Sequence, residues 1–276
     1  AKHHYKIVGV SSRSMGSAKA LASKLESCKV FNSPQALANE ASLVFITTPD
    51  DIIRDIATEV HWRSGQGVVH CSGTTSIDDL SPALAHGAEI GTFHPLQSFV
   101  AYDENRIGKF DGIVLALEGN GKLLTILKEM SNNLGGRWIQ LARHDKALYH
   151  ASAAIASNYL VTLIAMASGL WENFAEGTQE DGVRALLPLI RGTIDNIEIA
   201  GIPASLTGPI ARGDEGTLRN HLAAIPSKLS QAYREMGNQT IPLALAKNGI
   251  NDAKAKSMKA LFEETPTPKT SGNQIE

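Results

Sequence analysis

Residues 42–50 read Ser-Leu-Val-Phe-Ile-Thr-Thr-Pro-Asp, and this stretch decides the fold. An unbroken apolar run closed by proline is a strand buried on both faces, since a half-exposed strand would alternate apolar with polar residues. Asp50 then caps a helix whose apolar face is Ile52, Ile53, Ile56 and Val60. A buried strand leading straight into an amphipathic helix is the repeating unit of an α/β protein.

The unit recurs on both sides. Upstream, Tyr5–Ser11 is a strand, a helix runs near Ser14–Glu26, and Lys29–Phe31 is a short strand. Ser33-Pro34 reads as an N-cap with proline in the first helical position, opening a helix to about Asn39. Downstream, strands at Gln66–Cys71, Glu89–Phe93, Gly112–Leu117 and Arg137–Leu141 frame a helix from Ser76 to about Ala85 and another at Gly121–Leu134. The expectation is a Rossmann-like parallel sheet over residues 1–141, an all-helical domain over 142–264, and a disordered tail over 265–276.

With 276 residues, 43% hydrophobic and 20% charged, the chain is long enough for two domains. A net charge of −2 supplies no basic patch for nucleic acid or an anionic membrane, which leaves a small-molecule partner. Cys28 and Cys71 stand apart without a CxxC neighbour, as expected of free thiols in a reducing cytoplasm. From Leu148 to Trp171 there is no Asp, Glu, Lys or Arg. His150, Ser152, Ser157, Asn158, Thr162 and Ser168 are too many polar groups for hydrocarbon, so this is read as a helix buried on most sides or in a dimer seam, not as a membrane span.

Doubly wound sheets bind ligands beyond the carboxyl ends of their strands. Here those positions hold Ser11-Ser12-Arg13-Ser14, Thr47-Thr48-Pro49-Asp50, Ser72-Gly73-Thr74 and His94-Pro95. Arginine among small hydroxyls suits the 2′-phosphate of NADP, where an acidic residue would select NAD; an exposed turn with a helix cap at Ser14 is the plainer alternative. The glycine fingerprint is missing, since Gly119-Asn120-Gly121 has Leu124 in place of the third glycine. If Tyr5–Ser11 is the second strand of a dinucleotide fold, the first strand and its loop precede Ala1, and Lys2-His3-His4 ends the first helix.

Three separated motifs carry a family resemblance. Val69-His70-Cys71-Ser72-Gly73 followed by Gly91-Thr92-Phe93-His94-Pro95-Leu96-Gln97-Ser98-Phe99 is the first, and Tyr149-His150-Ala151-Ser152 through Ser157-Asn158-Tyr159 the second. Leu206-Thr207-Gly208-Pro209-Ile210-Ala211-Arg212-Gly213-Asp214 is the third. From about Tyr5 to Ile225 the chain resembles Rossmann-like proteins with a C-terminal domain of unknown function 2520. More distantly it is similar to pyrroline-5-carboxylate reductase, prephenate dehydrogenase and the 6-phosphogluconate dehydrogenase superfamily. The resemblance implies an NADP-dependent oxidoreductase reducing a small carbonyl or imine, a ketopantoate-like 2-keto acid included, with a helical domain that often forms a homodimer. A non-catalytic nucleotide-binding or metabolite-binding dimeric scaffold is the alternative.

Within that frame His94, before Pro95, is expected to polarise or protonate the substrate heteroatom, or to make a structural hydrogen bond; Ser98 would support it. Lys146, His150 and Ser157 fall within about 40° on one helix, with Asn158 further round. The superfamily's lysine would stand at Ala154, so it cannot be carried over; His150 or Lys146 could substitute, or be a buried histidine and a capping lysine. Arg212 could clamp a substrate carboxylate or pair with Asp214 or a partner chain. His221, two turns beyond Asp214, could face the same cleft. The spacings of His70, His94, His150 and His221 match no metal-ligand pattern.

Overall fold

In the computed structural model, residues 5–99, 110–174 and 176–264 are described. The proposed helix end at Lys2-His3-His4 and the tail at 265–276 lie outside these residues. The chain divides into two compact units, residues 1–160 and 161–276.

The first unit contains β1 (Gly9–Ser11), α1 (Met15–Ala22), β2 (Lys29–Phe31), α2 (Pro34–Glu40), β3 (Leu43–Ile46) and α3 (Ile53–Glu59). It continues with β4 (Gly67–His70), α4 (Ser81–Ala85), β5 (Glu89–Pro95), β6 (Val114–Gly119), α5 (Gly121–Asn133), β7 (Arg137–Gln140) and α6 (Lys146–Ala156). Strands β3, β4 and β5 are parallel in that order. The expected parallel sheet carries one antiparallel pair: β6 runs antiparallel to β5, with Thr92 opposite Glu118 and His94 opposite Ala116. β7 is parallel to β6.

The sheet is also in two pieces. Among the described residues β1 pairs only with β2, and the five strands β3–β7 form a separate sheet.

Strand periodicity sends alternate residues into two cores. Val44, Ile46 and Val68 pack with Ile53, Ala57, Val60, Trp62, Leu80 and Ala83 on one face. Leu43, Phe45, Val69, Phe93, Leu115 and Leu117 pack with Leu123, Leu124 and Leu127 of α5 on the other. All four residues of β4 are buried, the state that the apolar runs demand. Gln66, just before β4, is buried with its amide donated to the carbonyls of Ala38 and Ala41.

The second unit is helical. It takes in most of α7 (Asn158–Gly169), then α8 (Gln179–Ala200), α9 (Ile202–Ser205), α10 (Gly208–Arg212), α11 (Glu215–Ala224), α12 (Ser227–Ala246) and α13 (Asp252–Glu263). Its core is Leu218, Ile241, Met258, Leu261 and Phe262. α8 opens on a capping box, with Thr178 and Asp181 each bonding the other's backbone.

The charge-free run at 148–171 is not buried within the chain. It forms two helices, α6 and α7, interrupted at Ser157, and Leu148, Ile155, Tyr159 and Val161 are each at least 60% exposed. By length and hydropathy alone (1.6) Lys146–Asn173 is apolar enough to cross a membrane. The same apolar exposure continues on α8 at Leu189, Ile194 and Ile199.

Candidate active site

Three strand ends and one helix build the site. Asp50 follows β3, and its carboxylate does not cap a helix as expected. A 3-10 turn at Asp50–Ile52 leads into α3 instead, and Asp50 Oδ2 accepts the hydroxyls of Ser72 (2.8 Å) and Thr74 (2.9 Å). These bonds and the nearby His70 hold the Asp50 carboxyl below the usual range, outweighing the burial that raises it. Ser72 Oγ also accepts the amides of Thr74 and Thr75, so the turn after β4 is fixed at both ends.

His70 closes β4 and is fully buried. Its Nδ1 accepts the Ser72 amide at 3.2 Å, which leaves the proton on Nε2 to donate to the Ser76 carbonyl at 3.4 Å. Burial, with Lys146 assisting, pushes its pKa down to about 4. Next to it, burial raises the Cys71 thiol to about 11, so Cys71 is not a thiolate nucleophile at neutral pH. Both cysteines are free.

His94 stands near the end of β5 with its Nδ1 at 2.8 Å from the Tyr149 hydroxyl. The rings meet edge to face at 88°, with centroids 5.6 Å apart. His150 lies on the other side, 6.4 Å between ring centroids. Gly73 makes this convergence possible: a β-carbon there would sit 2.7 Å from both His94 Nε2 and His150 Cδ2. Burial, then the charges of His150 and Lys146, depress His94 to about 4. Burial lifts Tyr149 to about 12. At neutral pH the pair is therefore an uncharged imidazole and an intact phenol, with one N–H and one O–H between them. In that state His94 can polarise a substrate heteroatom or pass on a proton as a neutral donor or relay.

Beneath this pair, Lys146 is buried and ion-paired with Glu118 at 2.6 Å. Neither residue is a cap. Asp50 belongs to the strand-end set expected from the sequence, whereas Tyr149 and Glu118 were not singled out there as site residues. Tyr149 follows Lys146 by three residues and precedes His150 by one, so the signal was the helical spacing itself.

Other expected residues take different places. Ser12, Arg13 and Ser14 are exposed after β1, where Ser14 Oγ accepts the Ser17 amide and caps α1. Thr47, Thr48 and Pro49 follow β3, and Thr48 Oγ1 is buried without a hydrogen-bond partner. Ser98 is exposed, with its amide donated to Gln97 Oε1, and His94 takes Tyr149 as its partner. Ser157 and Asn158 are exposed at the break between α6 and α7, because the helix carrying Lys146 and His150 ends at Ala156. Arg212 and His221 belong to the second unit. Arg212 is an exposed cation near Asp214, and His221 Nδ1 bonds the Tyr233 hydroxyl at 2.7 Å. Among the described residues no three metal-ligating side chains group together.

Two family models match this chain: a Rossmann-like domain over residues 1–95 and the Domain of unknown function (DUF2520) over residues 113–240. The chain is a Rossmann-like protein with a DUF2520 domain. Both His94 and the α6 residues that meet it therefore lie in family-matched segments, one from each. No curated protein matches the sequence. Among solved structures, a Thermotoga maritima protein is 25% identical, covering 92% of this DUF2520 protein and 90% of that chain, with a TM-score of 0.61. Pyrroline-5-carboxylate reductase of Streptococcus pyogenes is 15% identical over 91% of this chain and 88% of its own, TM-score 0.53. Plasmodium falciparum pyrroline carboxylate reductase, solved with NADP bound, is 13% identical over 95% and 90%, TM-score 0.55. The likeness to both reductases is one of fold.

Proposed function

We propose that this protein is an NADP-dependent oxidoreductase that reduces a small carboxylate-bearing carbonyl or imine, with ketopantoate-like 2-keto acids as one candidate class. The observation that carries the reading is the hydrogen bond between neutral His94 and un-ionised Tyr149, set at the carboxyl ends of parallel strands. Support from the fold comes from the reductases whose architecture it shares.

The residues present fit the cofactor at particular points. Arg13 between two serines suits a 2′-phosphate. Thr48 Oγ1, buried and unpaired after β3, is a donor waiting for an acceptor. No G-x-G-x-x-G loop for the pyrophosphate occurs in these 276 residues. When bound, NADPH supplies the hydride. The protein's own part is the proton: Tyr149 donates its phenolic hydrogen to the substrate oxygen or nitrogen as charge develops there. His94 is placed to relay the replacement, passing its Nδ1 proton to the phenolate as Nε2 takes one up from water, and Lys146 and Asp50 set the surrounding field.

The test is direct. NADPH and NADH binding would be measured by titration, and NADPH consumption followed with a panel of 2-keto acids and cyclic imines. Saturable NADPH binding with turnover of one substrate class is expected; no binding of either nucleotide sinks the reading. A second reading, a non-catalytic dimeric scaffold, predicts nucleotide or metabolite binding without turnover.

A further inference from the structure

Lys146 is the least expected residue of the site. It opens α6 yet is only 4% exposed, and its Nζ lies 2.6 Å from Glu118 Oε2. That same oxygen accepts the Thr92 hydroxyl at 3.0 Å, and Thr92 Oγ1 in turn accepts the Glu118 amide at 3.1 Å. Thr92 and Glu118 are register partners on β5 and β6, so the carboxylate is held by two strands at once. Burial drives the Lys146 ammonium below the ordinary lysine range, while the bond and charge of Glu118 oppose that shift. Such a pair is a poor source of stability, because desolvating two charges consumes most of their attraction and an apolar pair of similar volume would hold as well.

What the pair supplies is direction. On a helix, positions i, i+3 and i+4 share a face, so Tyr149 and His150 stand one turn above Lys146. On a strand, i and i+2 share a face, so His94 stands one step above Thr92. Helix α6 and strand β5 are thus joined by two successive rungs: Lys146 to Glu118 and Thr92, then Tyr149 and His150 to His94.

We propose that Lys146 is a positioning residue for the His94–Tyr149 pair: clamped by Glu118, whose carboxylate Thr92 holds in turn, it fixes the rotation and height of α6 so that Tyr149 Oη meets His94 Nδ1. Its charge, with those of His150 on α6 and Asp50 after β3, also faces the His94 ring. The inference rests on the reading of that pair as the proton donor, but its test does not need turnover.

The variant Lys146→Met with Glu118→Gln removes both charges and leaves none buried alone. Folding is checked by circular dichroism, and the His94 ring is read by nitrogen-15 NMR across a pH titration. In the wild type one tautomer is expected, titrating near 4. In the folded double variant the tautomers are expected to mix and the midpoint to move up towards 6.5. Turnover should fall about ten- to hundred-fold with KM within about two-fold, the signature of misplacement rather than lost binding. A folded double variant with the wild-type tautomer and midpoint overturns the proposal. If the double variant does not fold, Thr92→Val loosens the Glu118 carboxylate while keeping both charges. It is expected to shift His94 in the same direction by less, and an unchanged ring there overturns the proposal equally. A wild-type protein that turns over no substrate would defeat the proposed function, while the ring titration would still decide whether Lys146 positions His94.

Discussion

The Tyr149 hydroxyl lies 2.8 Å from His94 Nδ1, joining two residues 55 positions apart in the chain. The phenol is the better placed of the two to hold a proton at neutral pH, since burial raises it to about 12 and lowers His94 to about 4. Tyr149→Phe removes the hydroxyl and keeps the ring that packs edge-on against His94. NADPH-dependent turnover is expected to fall about 100-fold or more, the usual worth of a positioned general acid, with KM little changed. Full turnover in steady-state assays of this variant would remove Tyr149 from the mechanism.

Gly73 has a nearly complete case for being glycine by necessity. It is buried, and any β-carbon would lie 2.7 Å from two imidazole rings. Gly73→Ala is expected to cost about 1–3 kcal/mol in urea denaturation, the usual range for overpacking a filled site. It should also break the His94–Tyr149 bond, visible as a change in the His94 ring resonances. An alanine variant as stable and as active as the wild type would show that the rings can yield without penalty.

Much of this site was legible before any coordinates, and what was not has a physical cause. The buried strand at 42–48 and its repeats gave the α/β architecture, because apolar runs and helical periods are local signals. Ser72, Gly73 and His94 were expected from their places after strands and His150 from its place on the helix, and the structure brings His94, His150 and Gly73 together. The Lys146–Glu118 bond was not found, since a lysine at the start of a helix looks like a surface residue until the opposing strand is known. The antiparallel β6 was missed for a related reason: strand direction is set by connection and pairing, not by the residues within the strand. Of the two places expected for the run at 148–171, burial within the chain does not occur, because apolar composition reports what wants to be covered and not what covers it.

Stability should depend on pH through the two neutral histidines. An unfolded histidine titrates near 6.5, whereas folded His70 and His94 resist protonation until about 4. Between those values the unfolded chain binds protons that the folded chain refuses, so stability falls as pH drops through this window and is fully present above it. Urea midpoints measured from pH 8 to pH 4.5 should be level at the upper end and decline below about 6.5. His70→Gln should flatten part of that decline. A midpoint that holds steady to pH 4.5 would show that the rings take up protons in the folded state.

Arg13 is exposed between Ser12 and Ser14, directly after β1, with α1 opening behind it. A guanidinium there would meet a 2′-phosphate and has little to offer a 2′-hydroxyl. Arg13→Ala is therefore expected to weaken NADPH binding about ten-fold or more, the worth of a charge-assisted contact, while NADH binding changes by about two-fold or less. Equal losses for the two nucleotides, measured by fluorescence titration, would refute the 2′-phosphate assignment.

The exposed apolar residues of α7 and α8 call for a partner surface. Val161 is 67% exposed, Leu189 67% and Ile199 84%, and a chain in water does not leave so many large apolar groups open without a use. We infer that a second copy of this chain covers them. The segment from Leu148 to Trp171 has no charge to repel its own image, and a two-fold interface needs one patch that is complementary to itself. Sedimentation equilibrium is expected to give twice the chain mass of 29.5 kDa. Leu189→Glu combined with Ile199→Glu should shift the protein towards monomer, because each carboxylate would have to be buried unpaired in the seam. The double variant should keep its helical circular dichroism, since both side chains point to solvent in the single chain. A wild-type protein that sediments as a monomer, or a double variant that remains fully dimeric, would place the apolar surface outside the interface.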